Sequence, residues 1–150
     1  MINLSTYKSC VNYESKVVTI PLASANRKTY KIDNRTQKNK ISHYKDIDEH
    51  VFPNSTCCDH LFIVDNNIKK KALLIELKSD AILRAVEQIS ESITKLKFSN
   101  NEHDVYGRIV ATEVHAPKLQ SISYIKLDRK LRGEFNGNLK TKSKIFIEQL

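Results

Sequence analysis

The chain predicts an α/β fold, a single mixed β-sheet flanked by helices. Apolar residues run with strand character through 58–64 and again through 72–78, the period then lengthens to about three and a half over 80–97, and another strand-like run follows at 107–112. Composition agrees. Of 150 residues 40% are hydrophobic and Gly and Pro number only 3 each, which argues against disorder. A chain of that length buries roughly 68–70% of its unfolded surface as one unit, so a single domain is expected over 1–150.

Val17-Val18-Thr19-Ile20 reads as a short strand ended by Pro21, and Thr29-Tyr30-Lys31-Ile32 alternates as a second. Asn34 to Lys40 is a basic turn. Ile41 to Phe52 reads as another extended segment, closed by Pro53-Asn54-Ser55. Two runs, Cys58 to Val64 and Ala72 to Lys78, then form the arms of a β-hairpin. Asp65, Asn66 and Asn67 supply its turn, because Asp and Asn accept turn conformations. The lysines Lys69, Lys70 and Lys71 at that tip are read equally well as a soluble, aggregation-resistant end or as a nucleic-acid contact. Ile82, Ala85 or Val86, Ile89, Ile93 and Leu96 make the apolar stripe of a helix from about Asp80 to Lys97, with Ser79 as N-cap. Gly107 to Thr112 is a central strand. Leu119 to about Leu131 is a second helix with Gly133 as its stop, and Lys142 to Ile147 alternates as a final edge strand.

Charge narrows the function classes. Lys and Arg total 25 against 17 Asp and Glu, a formal charge of +8, which suits a polyanionic partner as well as simple solubility. No stretch approaches the ~18 apolar residues of a membrane helix, so no membrane partner is expected. The N-terminus has neither the basic region nor the apolar core of a secretory signal, and 3 cysteines cannot all pair within one chain. The expected location is cytoplasmic. Cys57-Cys58-Asp59-His60 lacks a second ligand pair at zinc spacing, so the cysteines read as core fillers, and the five histidines are scattered.

The informative chemistry lies on the hairpin. Side chains alternate along a strand, so Glu76 and Lys78 share one face while Ile75 and Leu77 take the other. Buried charge is costly unless paired or bound to a metal, and Asp59 on the neighbouring arm supplies a second carboxylate there. Asp59, a gap and then Glu76-Leu77-Lys78 resembles the PD-(D/E)XK nuclease superfamily, which includes many restriction endonucleases and archaeal Holliday-junction resolvases. The resemblance covers about 56–97, with Cys58 standing where the pattern has Pro.

That resemblance implies a restriction-endonuclease-like core and a Mg²⁺- or Mn²⁺-dependent nuclease acting on DNA, as an endonuclease or exonuclease in defence, repair or recombination. Asp59, Glu76 and the Leu77 carbonyl would hold the metal. Lys78 would orient the attacking water or stabilise charge on the phosphate, and Gln88 would reach back from the following helix. An additional N-terminal acid is implied, with Glu14, Asp46, Asp48 and Glu49 as candidates and Asp48 favoured. Two alternatives stay open: a catalytically inactive nucleic-acid-binding or assembly subunit of the same fold, and an RNA nuclease. A chain this short has no room for a separate recognition domain, so a homodimer or a protein partner is also expected. The geometric requirement is strict. Asp59 and Glu76 must converge on one face, and a register slip of one residue would separate them.

Overall fold

Nine strands and four helices are found among the described residues, 1–4, 10–13, 17–21, 28–78 and 81–150, of the computed structural model. In chain order they are β1 (Cys10–Tyr13), β2 (Val17–Pro21), β3 (Thr29–Asp33), β4 (Lys40–Lys45), α1 (Ile47–His50), β5 (His60–Asp65), β6 (Lys70–Lys78) and α2 (Ile82–Leu96). There follow β7 (His103–Ala111), α3 (Ala116–Leu119), α4 (Ile122–Phe135), β8 (Leu139–Ser143) and β9 (Ile145–Gln149). The fold is α/β, a mixed sheet with helices against it.

The larger sheet has six strands in the order β1-β4-β5-β6-β7-β8. β1, β4, β5 and β6 pair antiparallel, whereas β6, β7 and β8 are parallel. A parallel neighbour needs a crossover rather than a tight turn, and α2 and then α3 with α4 provide the two crossovers. β6 is hydrogen-bonded on both sides, and Ala72 to Leu77 are buried without interruption. That is why its sequence is a continuous apolar run rather than a polar–apolar alternation.

Each face of β6 has its own core. Ala72 and Leu74 join Leu61, Ile63, Val105 and Ile109 under α2 and α4. Leu73, Ile75 and Leu77 join Phe62, Val64 and Val110 against Val18, Tyr30, Ile32 and Phe146. The latter four belong to a second sheet of three strands, order β2-β3-β9. The molecule therefore has three layers: helices, six-stranded sheet, three-stranded sheet.

Arg108 of β7 ties the two sheets together. It is 2% exposed, and its Nε and Nη2 donate to the two carboxylate oxygens of Glu148 in β9 at 2.5 and 2.9 Å. Nη1 donates to the carbonyls of Gly107 and Asn138 and to the Asn138 side-chain oxygen. The rings of Tyr106 and Phe146 flank the guanidinium at 5.0 and 5.5 Å, and the Tyr30 hydroxyl donates to Glu148. A planar fork with five donors is suited to this duty because the buried charge leaves few donors unmet.

Several elements depart from the sequence expectation. One sheet was expected and there are two. The Lys142–Ile147 strand is instead two strands, because Lys144 at φ 63 turns the chain between β8 in the larger sheet and β9 in the smaller. The extended segment from Ile41 stops at Lys45; Asp46, at φ 50, reverses the chain into α1. The second helix does not stop at Gly133, which lies within α4. Its end is Asn136 at φ 52, and its start is capped by Ser121, whose hydroxyl accepts the Tyr124 N–H. The expected cap Ser79, and Asp80, lie outside the described residues; Ala81 precedes α2 without a side-chain cap. Gly137 permits the return into β8, since a Cβ there would come within 1.6 Å of the Val105 carbonyl oxygen.

Removing Arg108 alone strands Glu148 between the sheets. Arg108→Met is expected to destabilise the protein by about 3–5 kcal/mol, as loss of one partner from a buried pair does. Arg108→Met with Glu148→Leu should recover most of that loss in urea unfolding. Equal instability of the single and double variants would show that packing, not the stranded charge, sets the cost.

Candidate active site at the open end of the hairpin

Register fixes the site. His60 lies opposite Ile75 and Leu61 opposite Leu74, so continuing the antiparallel pairing by one residue sets Asp59 opposite Glu76. Opposed residues share a face, and both belong to the helix side. The Asp59 backbone N–H donates to Glu76 Oε2 at 3.1 Å, and Lys78 Nζ stands 2.7 Å from Glu76 Oε1. Glu76 is fully buried, while Lys78 is partly exposed. Asp59 and Glu76 therefore converge, with Lys78 on the same face.

The Leu77 backbone N–H lies near enough to the Asp59 carboxylate to pull its pKa down. In an extended strand the N–H and C=O of one residue point toward the same neighbour. The Leu77 carbonyl is thereby directed to the β5 side, beyond the first paired residue, His60.

Two carboxylates in a dry place repel one another. Burial, and then the negative charge of Asp59, push the Glu76 carboxyl up to about 8, although Lys78 and the Asp59 N–H pull it down. Asp59 is also raised, chiefly by burial, against the opposing pull of Lys78. Titratable groups held far from their ordinary range by burial and by each other concentrate at functional sites.

The segment entering β5 is anchored from α2. Gln88 Nε2 donates to the Cys57 carbonyl at 3.1 Å, the Cys58 N–H donates to Ser92 Oγ at 2.8 Å, and Ser92 donates in turn to the Gln88 carbonyl. Gln88 thus holds the chain two residues before Asp59. Its Oε1 is buried without a hydrogen-bond partner among the described residues. Ser92 was not anticipated, although it is four residues after Gln88 and so one turn along the same helix face.

Asp48 sits in α1, whose first N–H, that of Ile47, donates to the Asp59 carbonyl at 3.3 Å. Its charge acts on both Asp59 and His60. Asp46 acts on His60 as well, whereas Glu49 is exposed. Glu14 lies outside the described residues. Arg84 is exposed on the first turn of α2. Sequence reasoning also missed a histidine pair on the opposite face of the sheet: His43 Nε2 and His60 Nδ1 are 3.0 Å apart, and His43 stacks on Phe62. Burial brings His43 down to about 3, and lowers His60 also, so the two neutral rings share a single N–H···N bond. Burial raises the Cys58 thiol well above its ordinary value, which suits a core filler and not a nucleophile.

The donors fit a hard cation. Mg²⁺ binds proteins through one or two carboxylates and keeps several waters, and a buried carboxyl forced to retain its proton beside another acid is relieved by a divalent charge. Among the described residues no group of three or more His, Cys, Asp or Glu side chains is arranged to hold a metal. Asp59, Glu76 and the Leu77 carbonyl are the available set. No family model, no curated protein and no solved structure matches the chain.

The buried acid has a measurable signature. Glu76 holds its proton to about pH 8 when folded but only to about 4.5 when unfolded, so between those values the native state binds more protons and stability falls as pH rises. Glu76→Gln cannot ionise. Its stability relative to the parent should grow from about pH 4.5 to pH 8, by on the order of a few kcal/mol, in denaturant melts across that range. Parallel pH–stability curves would rule the buried acid out.

Proposed function

We propose that this chain is a metal-dependent nuclease that hydrolyses phosphodiester bonds, with DNA as the favoured substrate. The observation that carries the reading is the convergence of Asp59 and Glu76 on one face with Lys78 beside them. Two carboxylates with a lysine two residues after the second combine cation binding with a positive charge for the phosphate. The +8 net charge supports a nucleic-acid partner. Among the described residues no helix is long and apolar enough to cross a membrane. The proposed location is cytoplasmic, and the proposed partners besides nucleic acid are a second copy of the chain or another protein.

Asp59, Glu76 and the Leu77 carbonyl would hold Mg²⁺ or Mn²⁺, with Asp48 as an outlying acid. The bound ion supplies an activated water and neutralises phosphate charge. Lys78, which stands beside Glu76, would donate to the attacking water or to a phosphate oxygen. Gln88 and Ser92 keep the Cys57–Asp59 segment from drifting, so Asp59 meets Glu76 without an ordering cost at each turnover. The buried walls on either side of Glu76 exclude bulk water, which strengthens each of these interactions.

One observation favours a second reading, a catalytically silent nucleic-acid-binding or assembly subunit. Lys78 closes directly on Glu76, and no third acidic ligand joins the two carboxylates among the described residues. An RNA nuclease is the third, since metal chemistry does not distinguish the sugars.

Cleavage of labelled duplex, single-stranded and branched DNA and of RNA, with and without Mg²⁺ or Mn²⁺, separates the three. We expect metal-dependent cutting of DNA. Glu76→Ala should abolish it while leaving the fold intact, and Lys78→Ala should lower kcat by about a hundredfold or more with little change in metal affinity. Full activity in either variant removes that residue from the mechanism. Binding without cutting by the parent protein supports the silent-subunit reading.

A further inference from the structure

The end of the large sheet remote from Glu76 carries more lysines than acids, with Asp65 set opposite both Lys40 and Lys70 in the strand register. Lys38, Lys40 and Lys70 are exposed there, and neither they nor half-buried Lys71 have an ion-pair partner among the described residues. Lys69 differs, being held by Asp104 at 2.6 Å. A cleft of about 310 Å³ opens between the turn before β4, which brings Lys38 and Lys40, and the β5–β6 turn, which brings Asp65, Asn66, Asn67 and Ile68.

Ile68 is the unexpected member. It is 92% exposed, more than any other large apolar residue described. The turn that presents it is pinned by its own side chains. Asn66 Oδ1 accepts the N–H groups of Ile68 and Lys69 at 3.0 and 2.9 Å, and Asp65 Oδ1 accepts that of Asn67, whose φ is 68. The Lys70 N–H donates to the Glu102 carbonyl and the Lys69–Asp104 pair fastens the turn to β7. A fixed turn thus holds one isolated apolar side chain in water among amides, lysine ammonium groups and the Asp65 carboxylate.

That combination matches one partner. Lysines neutralise phosphates, Asn side chains read base edges, and a lone apolar wedge packs against a base step. One isoleucine is far too small for a protein interface or a membrane anchor. We propose that the β5–β6 turn is a second duplex-DNA contact, separate from the cutting end, with Ile68 against a base step and Lys38, Lys40 and Lys70 on phosphates. This rests on nucleic acid being the partner but not on catalysis. Lys70 and Glu76 lie six residues apart on β6, so the two contacts are ~20 Å apart. A duplex shorter than about six base pairs, at 3.4 Å per step, cannot bridge them.

The test is binding to a fluorescent duplex of roughly 20 base pairs in EDTA over a salt series. Lys38→Ala, Lys40→Ala and Lys70→Ala combined should reduce the log-affinity against log-salt slope by about 0.9 per lysine. A control removing Lys126, Arg129 and Lys130 from α4 should leave it unchanged. Ile68→Ser should weaken binding several-fold at constant slope and abolish the fluorescence rise of a 2-aminopurine placed at the contacted step. Tip variants that bind like the α4 control, an Ile68→Ser variant that binds like the parent, equal affinity for duplex RNA, or no binding by the parent at low salt would each overturn the assignment. A parent that binds through the tip but never cuts leaves the tip standing and removes the nuclease reading. A parent that cuts while its tip variants bind normally does the reverse.

Discussion

The register between β5 and β6 is the constraint on which the candidate site depends. It sets Asp59 opposite Glu76, brings the Leu77 N–H to Asp59, and puts Lys78 on the same face. Hydrophobic burial enforces it. Leu61 and Ile63 must enter the helix-side core with Leu74, while Phe62 and Val64 enter the opposite one with Leu73. A slip of one residue would exchange those sets and bury nothing correctly, so the packing that stabilises the sheet also aligns the acids.

The site is expensive to maintain. Glu76 sits where Ala72 and Leu74 precede it on a helix-packed face, and an ionised carboxylate there faces both desolvation and Asp59. Lys78 and the Asp59 N–H offset only part of this, so the proton stays on to an unusually high pH. The protein tolerates the penalty because strong packing surrounds it: β6 is paired on both sides and covered on both faces. The same logic explains the buried polar residues of α2. Gln88 and Ser92 take places on an apolar stripe because the incoming Cys57–Cys58 backbone needs partners for a carbonyl and an N–H.

The two ends of the hairpin have opposite electrostatic character. The Asp59 end sets Asp59 against Glu76 with the charge of Asp48 acting on Asp59 from α1, while the turn end carries more lysines than acids, Lys38, Lys40, Lys70 and Lys71 beside Asp65. A polyanion approaching the protein is therefore drawn first to the turn, and reaches the acids only if something there reverses their charge. A divalent cation at Asp59 and Glu76 would do so.

The sequence by itself determined the hairpin, the helix after it, the parallel strand that follows, and the pairing of Glu76 with Lys78, because these are local periodicities of two and about three and a half residues. It also brought out Asp59, through its place on the neighbouring arm and the resemblance of Asp59, a gap and Glu76-Leu77-Lys78 to a nuclease motif. It did not determine the second sheet. β2, β3 and β9 come from the two ends of the chain, where β9 pairs parallel with β3, and Arg108 of β7 meets Glu148 forty residues later to hold that sheet to the larger one, contacts no local pattern encodes. The split of the last strand at Lys144 and the turn at Asp46 are single left-handed residues, which leave no signature in hydrophobic period. Nor could the sequence tell that Gln88 would be buried against Cys57 or that His43 would meet His60. Those are consequences of which strands lie side by side, and tertiary packing alone decides that.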